Sequence, residues 1–173
     1  DPPYKILSTK SGGHNEIADR IKKYNKELED NNLTKEYDKK ILEDLIRVMK
    51  KTNIYIWCNG PQIPFYLDYF VGRYKSKMEI LVWNKTNAAP LFNNKYLVDK
   101  EYCLYFRNRG YCNPSNYEDA KTVFISPLNV KDKKKYGHPT IKPLPFIRKI
   151  IRNSSNENDL VLDCFLGSGT TAV

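Results

Sequence analysis

The sequence is short of histidine, lacks paired cysteines and long apolar runs, and carries fewer acids than bases. Only His14 and His138 accompany the four cysteines Cys58, Cys103, Cys112 and Cys164. No two cysteines are spaced as C-x-x-C, and both histidines lie far from them in sequence. That spacing excludes a structural zinc site, and no metal is expected. Cys58 and Cys164 fall inside apolar runs, where a small buried thiol is expected. Cysteine used this way implies reduced thiols and a cytoplasmic protein. No apolar run reaches the length of a membrane span, and no stretch reads as a signal peptide. Acids number 20 against 29 bases, a net charge of +9. That surplus favours polyanions without identifying one.

What is present fits one globular domain. The chain has 173 residues, 40% hydrophobic and 28% charged, which argues against wholesale disorder. Residues 5–13 read as a polar loop. Ile17, Ile21, Tyr24 and Leu28 share one helical face, which predicts a helix from His14 to Leu28. A second helix is predicted from Thr34 to Lys50, with Tyr37, Ile41, Leu45 and Val48 in a stripe widened by Leu42, Ile46 and Met49. Ile54 to Cys58 is β-prone and apolar without alternation, the pattern of a strand covered on both faces. Ile63 to Phe70 reads as a short helix. Ile80–Trp83, Cys103–Phe106 and Thr122–Ile125 read as strands, and residues 84–100 and 107–121 as loops. Lys131 to Lys135 reads as a charged loop, Pro143 to Arg152 as a helix, and Asp159 to Asp163 as a strand. Helices alternating with buried strands predict an open, doubly wound α/β sheet, with room for an antiparallel strand.

Two segments carry chemistry. Phe165-Leu166-Gly167-Ser168-Gly169-Thr170-Thr171 follows a strand and opens a helix. Glycines there let a ligand approach the backbone, and the helix start offers N–H groups to a carboxylate or phosphate. A plain strand-to-helix turn would look the same. The segment lacks the lysine of a phosphate-binding loop and the third glycine of the dinucleotide fingerprint, which argues against both uses. The second segment is Asp1-Pro2-Pro3-Tyr4. Two prolines stiffen the turn and fix its carbonyls. The aspartate adds an acceptor and the tyrosine a flat face. An exocyclic amine needs that set, because its lone pair is delocalised into the ring. Two acceptors on its N–H groups favour a pyramidal nitrogen, and an aromatic ring can stack on an extruded base.

Asp1-Pro2-Pro3-Tyr4 resembles the catalytic motif of the S-adenosylmethionine-dependent DNA amino-methyltransferases. Phe165-x-Gly167-x-Gly169 resembles their cofactor motif, and His138-Pro139-Thr140-Ile141-Lys142-Pro143 the segment preceding it. The order, catalytic motif first, resembles the β group of that family. Ile80 to Lys85 and Glu101 to Phe106 are similar to two weaker family segments. The resemblance spans nearly the whole chain and implies a doubly wound, mostly parallel sheet of the Rossmann-like methyltransferase type, with one antiparallel strand near an edge. It implies a partial catalytic domain over residues 1–173, cut at both ends and poorly active alone, with residues 84–121 as a region for DNA target recognition. Asp1 and the Pro2 carbonyl would hold the target amine, Pro3 would stiffen the turn, and Tyr4 would stack on the flipped base. Gly167, Ser168, Gly169 and Thr170 would line the methionine part of S-adenosylmethionine. His138 would belong to the cofactor-side turn, Thr140 and Lys142 would hold the cofactor carboxylate, Asp163 would end the strand beside it, and Phe165 would pack beneath. Cys164 stands where the family usually has proline, and Lys5 where asparagine or glycine is commoner.

The implied reaction is direct methyl transfer to N6 of adenine in double-stranded DNA. Aspartate at the first motif position leans that way, and N4 of cytosine is the alternative. A non-catalytic DNA-binding module of the same type is a further reading. Lys131, Lys133 and Lys134 are candidates for phosphate contacts, and Arg107 and Arg109 for phosphates or bases. A cognate restriction endonuclease and a homodimer are the expected partners.

Overall fold

A computed structural model describes residues 1–4, 16–35, 37–90, 92 and 94–173. The elements in chain order are α1 (Glu16–Asp30), α2 (Ile41–Val48), β1 (Thr52–Cys58), α3 (Ile63–Tyr66), β2 (Lys77–Lys85), β3 (Lys100–Asn108), α4 (Tyr117–Ala120), β4 (Val123–Ser126), α5 (Val130–Tyr136) and α6 (Leu144–Ser154). Leu67–Arg73 continues α3 as wider π-helical turns.

The four strands form one sheet in the order β1-β3-β2-β4. β3 runs antiparallel to both β1 and β2, and β4 is parallel to β2. Three strands therefore point one way and β3 the other. This matches the expected mostly parallel sheet with one reversed strand. Successive residues of a strand face opposite sides, and both sides are covered. Trp57, Cys103 and Tyr105 face α6, where Phe146, Ile147 and Ile150 complete one core. Ile56, Cys58, Leu104 and Phe106 face the other way, against Leu42 of α2, Tyr66 and Phe70. The unbroken apolar character of β1 and β3 follows from this two-sided burial.

Several expectations change in detail. The predicted start of α1 at His14 lies outside the described residues, as does the loop 5–13. Ile17 and Tyr24 of α1 are more than a third exposed, so its apolar face is only partly used. α2 is shorter than its periodicity suggests. The Asp38 carboxylate accepts the Lys40 N–H at 3.0 Å, a local turn that delays the helix start.

Two expectations are overturned. Residues 131–135 are helical, within α5. The Asn129 side chain accepts the Asp132 N–H at 3.1 Å as an N-cap, and Gly137 closes the helix in the left-handed region at φ +62°. Three lysines in the last turn also suit the helix dipole. The predicted strand 159–163 is not one. Among the described residues no strand lies beside it, so its backbone has no ladder to join, and Leu160, Val161 and Leu162 are exposed. Within the range 84–121, β3 separates two connecting segments, as the strand read at Cys103–Phe106 implied.

Candidate active site

The carboxyl ends of the parallel strands are where an open α/β sheet binds ligands. Here that rim is formed by the ends of β1, β2 and β4. β3 runs in reverse, so it brings its first residues to the same rim, with Glu101 opposite Trp83. Asp1 to Tyr4 lies at this rim. Pro2 is buried, and Tyr4 packs against the cluster containing Trp57 and Trp83.

Four charged side chains from separate segments meet there. Lys142, just before α6, places Nζ 2.7 Å from Asp1 Oδ2 and 3.3 Å from Glu101 Oε2. Lys85, ending β2, places Nζ 2.6 Å from Glu101 Oε1. The Tyr4 hydroxyl donates to Glu101 Oε2 at 3.2 Å. Two carboxylates and two ammoniums balance in formal charge. Lys142 is 6% exposed, and ions so buried persist only when paired. Its ammonium also lies over the rings of Tyr4 and Trp57, 5.3 and 5.1 Å from their centroids.

The electrostatics follow from this packing. Burial pushes the Glu101 carboxyl up, but the ammoniums of Lys142 and Lys85 outweigh it and hold its pKa at about 2. Burial, and then the Glu101 charge, keep the Tyr4 phenol protonated well above its usual range, so it remains a donor. The turn is fixed on its other side by Gln62. That buried side chain donates from Nε2 to the Pro3 carbonyl at 3.3 Å and accepts the Asn59 N–H at 3.2 Å.

The glycine loop sits next to the 138–142 segment. A Cβ at Gly167 would lie 3.1 Å from His138 Nε2, and Gly167 has φ +53°. Gly169 has φ +77° with no atom within 4 Å of its Cβ position, which leaves an open cradle over left-handed backbone. The Asp163 carboxylate accepts the Phe165 N–H at 3.0 Å, and the Ser168 and Thr170 hydroxyls are 2.9 Å apart. The Phe165 ring meets Tyr37 edge-on at 5.1 Å. His138 is held below the usual histidine pKa by burial and then by Lys142 and Lys133, so it is neutral at pH 7. Its Nδ1 accepts the Thr140 N–H at 3.3 Å.

The structure brings together Asp1–Tyr4 and Lys142, and separately His138, Thr140 and the loop from Asp163 to Thr170. Lys142 is turned towards Asp1 and Glu101. Lys133 leans inward, with Nζ 5.1 Å from the Tyr24 ring centroid, whereas Lys131 and Lys134 are exposed. Arg107 and Arg109 are not brought to the site. Six residues of extended strand separate Glu101 from Arg107, about 20 Å. Glu101, Lys85 and Gln62 are the site residues that sequence reasoning passed over. Lys85 and Glu101 bound the two weaker family-like segments, and Gln62 is signalled only by its position as a polar side chain at the start of a short helix.

A family model described as DNA methylase matches residues 1–173. The Type II methyltransferase M2.LlaDCHI of Lactococcus lactis subsp. cremoris is 34% identical over 147 residues, covering 75% of this chain and 54% of its own. The Type II methyltransferase M.HinfI of Haemophilus influenzae is 26% identical, covering 99% of this chain and 53% of its own. The chain thus spans about half the length of these curated relatives. In fold it is similar to a crystal structure of an M1.HpyAVI–SAM complex, with TM-score 0.62, 23% identity, and coverage of 92% of this chain and 84% of that one. Matched by that family model over its whole length, the chain belongs to the DNA methylase family.

Proposed function

We propose that the protein transfers a methyl group from S-adenosylmethionine to the N6 amine of adenine in DNA. The observation that carries this reading is the bracing of Asp1 to Tyr4 at the carboxyl rim of the sheet, with an open glycine cradle on the adjoining segment. Bound S-adenosylmethionine would supply an electrophilic methyl group. Gly167, Ser168, Gly169 and Thr170 would hold its methionine part, with His138, Thr140, Asp163 and Phe165 around them. Backbone in the left-handed region and paired hydroxyls suit a close-approaching zwitterion. Lys142 is engaged by two carboxylates, so its part is to hold Asp1 rather than the cofactor.

Asp1 Oδ2 is taken by Lys142, so Oδ1 would accept one N–H of the target amine. The Pro2 carbonyl takes the other N–H, since Gln62 holds that of Pro3. Held this way, the nitrogen directs its lone pair at the methyl carbon. With S-adenosylmethionine bound, the amine would take its methyl group in one displacement, losing one proton to solvent and leaving the cofactor as the neutral thioether. No covalent enzyme intermediate is needed, and the rate comes from positioning. Lys142 covers one face of the Tyr4 ring, and the extruded base stacks on the other. Lys131, Lys133 and Lys134 are assigned to DNA phosphates. A cognate endonuclease fits the Type II naming of the relatives.

The test incubates the full-length protein with unmethylated genomic DNA and S-adenosylmethionine, then identifies nucleosides by mass spectrometry. N6-methyladenine is expected. N4-methylcytosine would keep the mechanism and change the base. Absence of any methylated nucleoside refutes the reading.

A further inference from the structure

We propose that Glu101 is a positioning residue for methyl transfer, fixing Tyr4 directly and Asp1 through Lys142. This rests on the methyltransferase reading given above.

Glu101 touches neither the amine nor the methyl donor in that reading. Yet Oε2 accepts the Tyr4 hydroxyl at 3.2 Å and faces the Lys142 ammonium at 3.3 Å. Lys142 passes the constraint to Asp1 at 2.7 Å. Oε1 is engaged by Lys85 at 2.6 Å, so both oxygens are used and the carboxylate has little freedom to turn. Glu101 sits near the start of an inner strand, paired with Trp83 of β2 and one residue before Tyr102, which pairs with Cys58 of β1. Rigid backbone therefore sets where the two motif side chains point.

The chemistry needs that constraint. The Tyr4 ring must present a face to the base while the Asp1 oxygen meets the amine, and both belong to one short turn. A misplacement of about 1 Å at a reacting centre can cost about 100-fold in rate. The arrangement also isolates Asp1. Lys142 shared between two carboxylates neutralises Asp1 less than it would if Glu101 were absent. Asp1 then keeps more acceptor strength for the amine.

The test compares the full-length protein with Glu101→Gln, Tyr4→Phe and the double variant, measuring kcat and KM on unmethylated DNA with tritiated S-adenosylmethionine. Glu101→Gln is expected to lower kcat at least 10-fold, with both KM values within threefold. Tyr4→Phe removes only the hydroxyl, keeps the stacking ring, and should lower kcat at least fivefold. The double variant should be no worse than Glu101→Gln by more than twofold, because both changes weaken the same charge-assisted hydrogen bond. A Glu101→Gln protein within twofold of the wild-type kcat overturns the proposal, and so do effects that multiply. If Glu101→Gln does not fold, Tyr4→Phe decides alone, and a wild-type rate overturns the proposal. Loss confined to KM would mean a substrate-binding role and also overturns it. A wild-type protein that methylates no DNA overturns the underlying reading, and this inference with it.

Discussion

The paired Glu101 carboxylate makes a definite contribution to stability as a function of pH. Its pKa falls from 4.5 to about 2 on folding, because Lys142 and Lys85 outweigh the effect of burial. At about 1.4 kcal/mol per unit, that difference corresponds to roughly 3 kcal/mol. The Glu101 side chain is 18% exposed, so solvent screening removes little of it. A group with a depressed folded pKa contributes fully above its unfolded pKa and loses the contribution as pH falls through the folded one. The contribution is therefore present at pH 7, declines below about pH 4.5 and is gone near pH 2. Lys142 and Tyr4 face the carboxylate from outside the sheet, and Lys85 from β2. Glutamine at 101 keeps the shape and loses the charge. Urea unfolding of wild type and Glu101→Gln at pH 7, 5.5, 4.5 and 3.5 measures the gap. It should be about 3 kcal/mol at pH 7, roughly 6–12 °C in Tm for a domain of this size, and should narrow only below pH 4.5. A gap that does not change with pH, or no gap at pH 7, refutes the reasoning.

Two further outcomes follow from the geometry. Gly169→Ala forces a side chain onto φ +77°, which costs about 1–2 kcal/mol or shifts the loop; calorimetry should show S-adenosylmethionine binding weakened at least 10-fold and a Tm lowered by no more than about 8 °C. Lys131→Ala with Lys134→Ala should weaken DNA binding and flatten the slope of log affinity against log salt by about one for each phosphate no longer neutralised, whereas Arg107→Ala should change neither, as read by fluorescence anisotropy across a salt series.

The sequence makes the inner sheet legible because burial on both faces leaves unbroken apolar runs. β1 and β3 are found by that signature, and α6 by its periodicity. Asp159 to Asp163 carries the same signature, but a strand needs a neighbour and none of the described residues supplies one. The helix over 130–136 hides because four lysines around one aspartate look like a solvated loop; its caps, Asn129 and Gly137, are the better signal. The motif turn and the glycine loop are legible because their residue types are unusual where they stand. The brace around them is not. Asp1 and Lys142 are 141 positions apart, and Glu101 reads as one more charge at a strand border. Only the reversal of β3 turns that border into part of the rim.

That reversal has a consequence for how such proteins diversify. β2 leaves the sheet at Lys85 and β3 re-enters at Lys100, on adjacent strands. The excursion between them is clasped at its base, where the Lys85 N–H donates to the Asp99 carbonyl at 2.7 Å and Asn84 Nδ2 to the Asp99 carboxylate at 3.1 Å. Doubling the length of a closed loop costs only about 0.6 kcal/mol, and no ladder bond depends on what the loop contains. Its described outer residues, Phe92, Tyr96 and Val98, are exposed, with Tyr96 97% so. The segment can therefore vary in length and composition without disturbing the ladder, although it ends directly before Glu101. Variation there would leave the Glu101 brace unchanged while altering the surface beside it.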